Sequence, residues 1–160
     1  MWISAGWTSF FVVLGICWAV WPRMAPIADP GDRALFALQL CAAPAVVMLM
    51  MLQTLWRIGD TPQAEDPFAN AESQRFKLNH RVFSNTLEQM AIFLPMFLAL
   101  AIRIDPSHVF LLSILMAIWC AGRLLFWGGY HVGNNQRAIG MDWTSGTATV
   151  TLLALIWTLF

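Results

Sequence analysis

Charge is what this 160-residue sequence has least of: Asp, Glu, Lys and Arg make up 11% of it and cancel to a net charge of zero. A soluble domain carries nearer about a quarter charged residues, so too little polar surface is present to cover a water-exposed globule. Without excess positive charge, a nucleic-acid partner has no electrostatic support. Cysteine is scarce as well. Cys17, Cys41 and Cys120 stand far apart in apolar runs, which gives neither a disulfide framework nor metal-ligand spacing, and they read as small apolar residues. Tyrosine occurs once, at Tyr130, against nine Trp and eleven Phe, a balance expected where aromatics anchor helices at a lipid interface. No Lys or Arg precedes the first apolar run and no clear A-x-A site follows it, so that run reads as a retained span instead of a signal peptide. There is no internal repeat or low-complexity tract.

What is present is hydrocarbon: 59% of the residues are hydrophobic and the mean hydropathy is +0.63. Five apolar stretches run about Trp2 to Trp21, Ala34 to Trp56, Val82 to Ile102, His108 to Trp127 and Trp143 to Phe160. Each has about the 17 to 25 residues that a helix needs to cross the hydrocarbon core, and none alternates as a strand would. The expected fold is therefore an all-α integral membrane protein with five spans. Pro44 and Pro95 fall inside spans and predict kinks. Asp105-Pro106 predicts an N-cap and first turn for the fourth helix, and Asp142 is a candidate cap for the fifth. Two polar segments, Gly59 to His80 and Gly128 to Gly140, read as loops on one face. That face carries Arg57, Arg75, Lys77, Arg81 and Arg137 against Arg23, Arg33 and Arg103 on the other, so the positive-inside rule places it in the cytoplasm.

Of the eighteen charged side chains, sixteen fall in loops or at span edges, and Glu88 and Arg123 do not. An ionisable group inside a span costs about 2.5–3.5 kcal/mol even on a lenient insertion scale, so it normally faces a partner or a polar cavity. Arg81, Asn85 and Glu88 are four and three residues apart, which aligns them on one side of a helix. Arg123 and Tyr130, seven apart, share a face of the next helix. Two readings stay open here: an interhelical Glu88–Arg123 ion pair that fixes register, or a polar site.

The stretch Arg81-Val-Phe-Ser-Asn85-Thr-Leu-Glu88-Gln89, followed by Phe93, Pro95 and Phe97, resembles the second-helix signature of the MAPEG family, membrane-associated proteins of eicosanoid and glutathione metabolism. Arg123-Leu-Leu-Phe126-Trp-Gly-Gly129-Tyr130, then Arg137, is similar to the third-helix segment of its leukotriene synthase branch. The resemblance implies a four-helix protomer over residues 34–160, with 1–33 as an extra N-terminal transmembrane helix and loop. It also implies a homotrimer with three glutathione sites at the subunit interfaces near the cytoplasmic face. The expected localisation is that of a multi-pass protein of the plasma (inner) membrane.

Glutathione has two carboxylates, an ammonium and a thiol. In the implied site Arg81, with Arg57, binds carboxylate as a guanidinium fork. Glu88 holds the ammonium, Asn85 donates or accepts, Arg123 also binds glutathione, and Tyr130 offers a hydroxyl at the site wall. Arg137 lies by the thiol as the implied catalytic residue and favours the thiolate, which is the nucleophile. Phe126 and Gln89 depart from the branch pattern, each standing where it has tyrosine, and each removes a hydroxyl contact. His80 and His131 read as interfacial polar residues and His108 as lying at the opposite surface. Ser145, Gly146, Ala148 and Thr149 read as a close-packing face. No metal site is expected. Three functions fit: a glutathione transferase or peroxidase acting on lipophilic electrophiles, a non-catalytic lipid- or glutathione-binding protein of the same fold, and a structural membrane subunit. Glu88 and Arg137 favour the first.

Overall fold

The structure, a computed structural model, describes residues 2–66, 68–132 and 134–160. It is helical throughout, with no strand among the described residues. The first apolar stretch forms α1 (Trp2–Val20). The second becomes α2 (Pro30–Leu40) and α3 (Ala42–Leu52), separated only at Cys41. The break is the work of Pro44: without an N–H it leaves the carbonyl four residues earlier, on Leu40, without a helical donor, and its ring crowds that carbonyl. Asp29 starts α2 by accepting from the Asp32 amide at 3.0 Å, with Pro30 in the first turn. α4 (Gln74–Arg103) runs continuously through Pro95. A 3-10 turn (Pro106–His108) leads into α5 (Phe110–Val132), and α6 (Asn134–Trp157) completes the chain.

Several expectations need correction. α4 starts at Gln74, so the last residues of the expected Gly59 to His80 loop, including Arg75, Lys77 and His80, are helical. Of the expected Gly128 to Gly140 loop, 128–132 end α5 and 134–140 start α6, with Gly133 outside the described residues, which puts Arg137 in the first turn of α6. Asp142 caps nothing: it lies inside α6, with a buried carboxylate oxygen that has no hydrogen-bond partner among the described residues. Pro67, counted with the polar loop, lies outside the described residues. Asp105 does cap as expected, accepting from the Ser107 amide at 2.8 Å.

Pro30–Leu52, taken as one kinked span, Gln74–Arg103 and Pro106–Val132 are each long and apolar enough to cross a bilayer, while the apolar part of α1, Ala5–Val20, is shorter. α2/α3, α4, α5 and α6 make the four-helix bundle and α1 is the additional N-terminal helix. Phe93 stacks on Trp119 at 5.4 Å between α4 and α5, while Phe10 carries α1 onto Phe110, Ile114 and Ile118 of α5. Leu35, Leu38, Leu49, Ile92 and Leu153 point outward, as lipid-facing side chains do. α5 and α6 approach most closely at glycine: a Cβ on Gly140 would lie 2.2 Å from the Phe126 nitrogen, and one on Gly146 would lie 2.8 Å from the ring of Phe10. The small-residue face around Gly146 is therefore used within the protomer, against α1.

At one end of the bundle, arginines close helix ends. Arg33 is buried and donates to the carbonyls of Ala101 and Ile102 at the end of α4 (3.2 and 2.8 Å). Arg23 donates to Trp18 (2.9 Å) and Arg103 to Thr158 (3.4 Å). Each places a cation on the negative end of a helix.

At the other end, α4 is started by an acid. The Ser73 hydroxyl accepts from the Phe76 amide at 3.1 Å, while the Asp60 carboxylate accepts from the Ser73 hydroxyl and amide at 2.5 and 2.7 Å. Those two bonds, the hydroxyl's first, hold Asp60 below the ordinary carboxylate range. A depressed value means that the support is complete above about pH 3.9, the unfolded value for Asp, and fades as pH falls through the lower folded value. Amide exchange at Phe76 and Lys77 is therefore expected to be slow at neutral pH and to quicken only in acid. Asp60→Ala should make it fast at neutral pH, and equal protection in both proteins would remove the cap from the account.

Candidate functional site

The charged stripe of α4 faces α5 near the Asp60 end of the bundle. Lys77, His80, Arg81, Ser84, Asn85 and Glu88, with Tyr130 of α5, line an open concavity of about 580 Å³. Spacings of three and four residues put these side chains on one face of α4. The lining is mixed in sign: two cations, one carboxylate, one histidine, an amide and two hydroxyls. Arg81 and Glu88 are exposed in the single chain.

Arg123 lies beneath this surface, fully buried. Its Nε donates to the Thr144 hydroxyl (3.0 Å), Nη1 to Oδ1 of Asn85 (3.0 Å) and Nη2 to the Met141 sulfur (3.6 Å), with its guanidinium 4.5 Å from the centre of the Phe126 ring. No ion pair joins it to Glu88; among the described residues the charged pairs are Arg57–Glu72 and His108–Asp105. The interhelical pair that the sequence left open is therefore not formed. Arginine only donates, so Arg123 fixes Asn85 with its carbonyl inward, and the amide N–H donors of Asn85 remain for the concavity. Arg123 thus holds Asn85 from beneath and does not itself line the concavity.

Arg137 stands at the rim. Its guanidinium lies 5.1 Å from the centre of the Tyr130 ring, and Tyr130 packs edge-on against Phe126 at 5.1 Å. In the first turn of α6 it shares its position with the positive end of the helix, so both favour an anion nearby. Arg57 is set apart from this group. It pairs with Glu72, lies 4.9 Å from the Phe76 ring and lines a neighbouring cleft that shares Lys77 and His80 with the concavity.

Lys77, His80 and Ser84 were not singled out from the sequence as site residues. The signal was available, because 77, 80/81, 84 and 88 keep a helical interval, but it was hidden by placing the start of α4 too late. His131 is committed elsewhere: its Nε2 lies 3.1 Å from Oδ1 of Asn79, which also accepts from Trp127 Nε1 at 3.2 Å. Among the described residues no group of His, Cys, Asp and Glu has the arrangement of a metal site.

A family model described as the MAPEG family matches residues 33–160. The chain is also 35% identical over 97 residues to an uncharacterized protein of Synechocystis sp., an overlap of 58% of this chain and 69% of that protein. No solved structure matches it.

Proposed function

The chain belongs to the MAPEG family of membrane proteins, with glutathione-related transferase, synthase or related functions, and from that premise we propose a glutathione-dependent transferase or peroxidase acting on lipophilic electrophiles. The observation that carries this reading is the concavity on α4, where Arg81, Asn85 and Glu88 converge beside Tyr130. Its residues suit the zwitterion. Arg81 and Lys77 take carboxylates, the N–H donors of Asn85 turn the same way, and Glu88 takes the ammonium. Glutathione supplies the thiol. Arg137 and the start of α6 hold a positive potential at the rim that favours the thiolate. Arg57 joins as a carboxylate contact by leaving Glu72.

The family domain in this proposal is 34–160, with 1–33 as the addition. The exposure of Arg81 and Glu88 in the single chain supports completion of the site by a neighbouring protomer, hence a homotrimer. The distribution of arginines supports a cytoplasmic site in an inner-membrane protein.

Titration calorimetry with glutathione tests the proposal. Glu88→Gln keeps volume and removes charge, so affinity is expected to fall by about 1.5–3 kcal/mol, the range for a hydrogen bond to a charged group. The melting temperature should stay put, because no described cation depends on Glu88. Unchanged affinity would remove Glu88 from the site. No detectable binding by the native protein would leave the lipid-binding and structural-subunit readings.

A further inference from the structure

Away from the polar concavity, the helices line a partly open apolar cavity of about 480 Å³, within the range of about 300–1,000 Å³ typical of small-molecule sites. α1 supplies Leu14 and Trp18, while Leu115 of α5 and Val150 and Ala154 of α6 form facing walls. Asp105, His108 and Thr158 stand at its polar end. We propose that this cavity holds an acyl chain of an anionic phospholipid whose phosphate is bound by Arg23 and Arg103.

The walls come from membrane helices and are almost wholly hydrocarbon, so an acyl chain suits them and a polar solute does not. The polar end fixes the head group. Arg103 donates to the carbonyl of Thr158, a lining residue, and the guanidinium of Arg23 lies 5.2 Å from the ring of Trp18, another. Each guanidinium has five N–H donors, and one hydrogen bond from each is on a carbonyl. Asp105 is the carboxylate at this end, and it already accepts from the Ser107 amide and hydroxyl. Each cation thus touches a lining residue, and the carboxylate of the lining is already engaged. Trp157, 84% exposed, sits beside the opening as an aromatic does at head-group depth.

A hydrocarbon chain gains little by leaving the bilayer for a protein cavity, so selectivity has to sit in the head group. The cavity is also remote from the thiol chemistry. Ile104, on its wall, lies sixteen residues along from Glu88, roughly 24 Å at the rise of an α-helix. The inference is therefore independent of the proposed activity, and it gives α1 a role: Leu14 and Trp18 supply one wall of the cavity.

The test uses the full chain in bilayer nanodiscs with a trace of lipid carrying a diazirine at the end of one acyl chain, on either phosphatidylglycerol or phosphatidylcholine. After illumination, labelled peptides are mapped by mass spectrometry. The phosphatidylglycerol probe is expected to label the segments around Leu14, Leu115 and Val150, roughly thirtyfold more than the phosphatidylcholine probe, as two arginines near an anionic head group imply. Ala154→Phe fills the cavity and should abolish that labelling while glutathione affinity holds. Equal labelling by both probes, labelling spread over the outer faces of α3 and α4, or labelling that survives Ala154→Phe would overturn the proposal. If Ala154→Phe does not fold, competition in the native protein by unlabelled phosphatidylglycerol against phosphatidylcholine decides, and equal competition overturns it.

Discussion

Bound glutathione, titrated by the ultraviolet absorbance of its thiolate, is expected to show a pKa of about 6.5 in the native protein and about 8.5, the free-thiol value, in Arg137→Ala. A shift of two units is about 2.7 kcal/mol, a plausible effect for one guanidinium and a helix end in a partly desolvated site. Arg137→Lys should fall between, since it keeps the charge and loses the planar fork. At pH 7 the thiolate fraction drops roughly 25-fold from native to Ala variant. Turnover drops less, because a more basic thiolate is a better nucleophile, with a Brønsted coefficient of about 0.4–0.5 in thiol exchange; absorbance is the cleaner reading. Linkage gives a second one. A thiol whose pKa is lowered on binding makes affinity rise between about pH 6.5 and 8.5, so the native protein should bind glutathione more tightly across that interval and the Ala variant should not. A native complex with no thiolate at neutral pH would favour the non-catalytic reading, with which Phe126 and Gln89, each lacking a hydroxyl, already agree.

The second large effect is mechanical. Gly140→Ala adds one methyl group where the Phe126 nitrogen lies 2.2 Å and the Gly122 oxygen 2.6 Å from the new carbon. Both are backbone atoms and cannot rotate away, so α5 and α6 must separate. Overpacking typically costs about 1–3 kcal/mol, and a backbone clash belongs at the upper end. Alanine's better helix propensity returns at most about 1 kcal/mol. A clear net loss of thermal stability is expected. Gly15→Ala is the matched control, with nothing within 4 Å of its added carbon, and should be neutral or slightly stabilising. Separation of the helices also pulls Thr144 from Arg123 and so loosens Asn85. Gly140→Ala is thus expected to weaken glutathione binding although it touches no lining residue. Equal melting temperatures for the two variants would show that the bundle gives way at this contact.

Much of the architecture was legible because membrane helices must be long and apolar. All five runs became helices, the Pro44 break came where proline predicts one, and Asp105-Pro106 capped as read. The limits of the helices were less visible. α4 extends outward through Phe76, Lys77 and His80, where hydropathy carries no signal, and what starts it is a serine cap held by Asp60. The α5–α6 junction is rich in Gly and Asn, which reads as loop; yet Gly140 is there for the close approach of two helices, which one sequence does not reveal. Asp142 was placed at a helix start for the same reason. Within the site, the interval from Arg81 to Glu88 was enough to bring the stripe to one concavity. The partner of Arg123 was not readable, because charge points to Glu88 while the folded chain offers Asn85 and Thr144.

The α5–α6 junction also bears on how the chain enters the membrane. α5 is long and apolar enough to partition into the bilayer by itself. α6 is not: Asp142 and its run of threonines work against it, and an aspartate costs up to about 2.5–3.5 kcal/mol on the insertion scale, the value at a helix centre. Thr144, Thr147 and Thr151 return their hydroxyls to carbonyls four residues back, which hides polarity only once the helix has formed. With α5 ending at Val132 and α6 beginning at Asn134, α6 follows directly behind the helix it locks onto. α6 is therefore expected to enter the bilayer as a hairpin with α5, which lends the hydrophobicity that α6 lacks, and the contact of Arg123 with Thr144 forms only once both are in place.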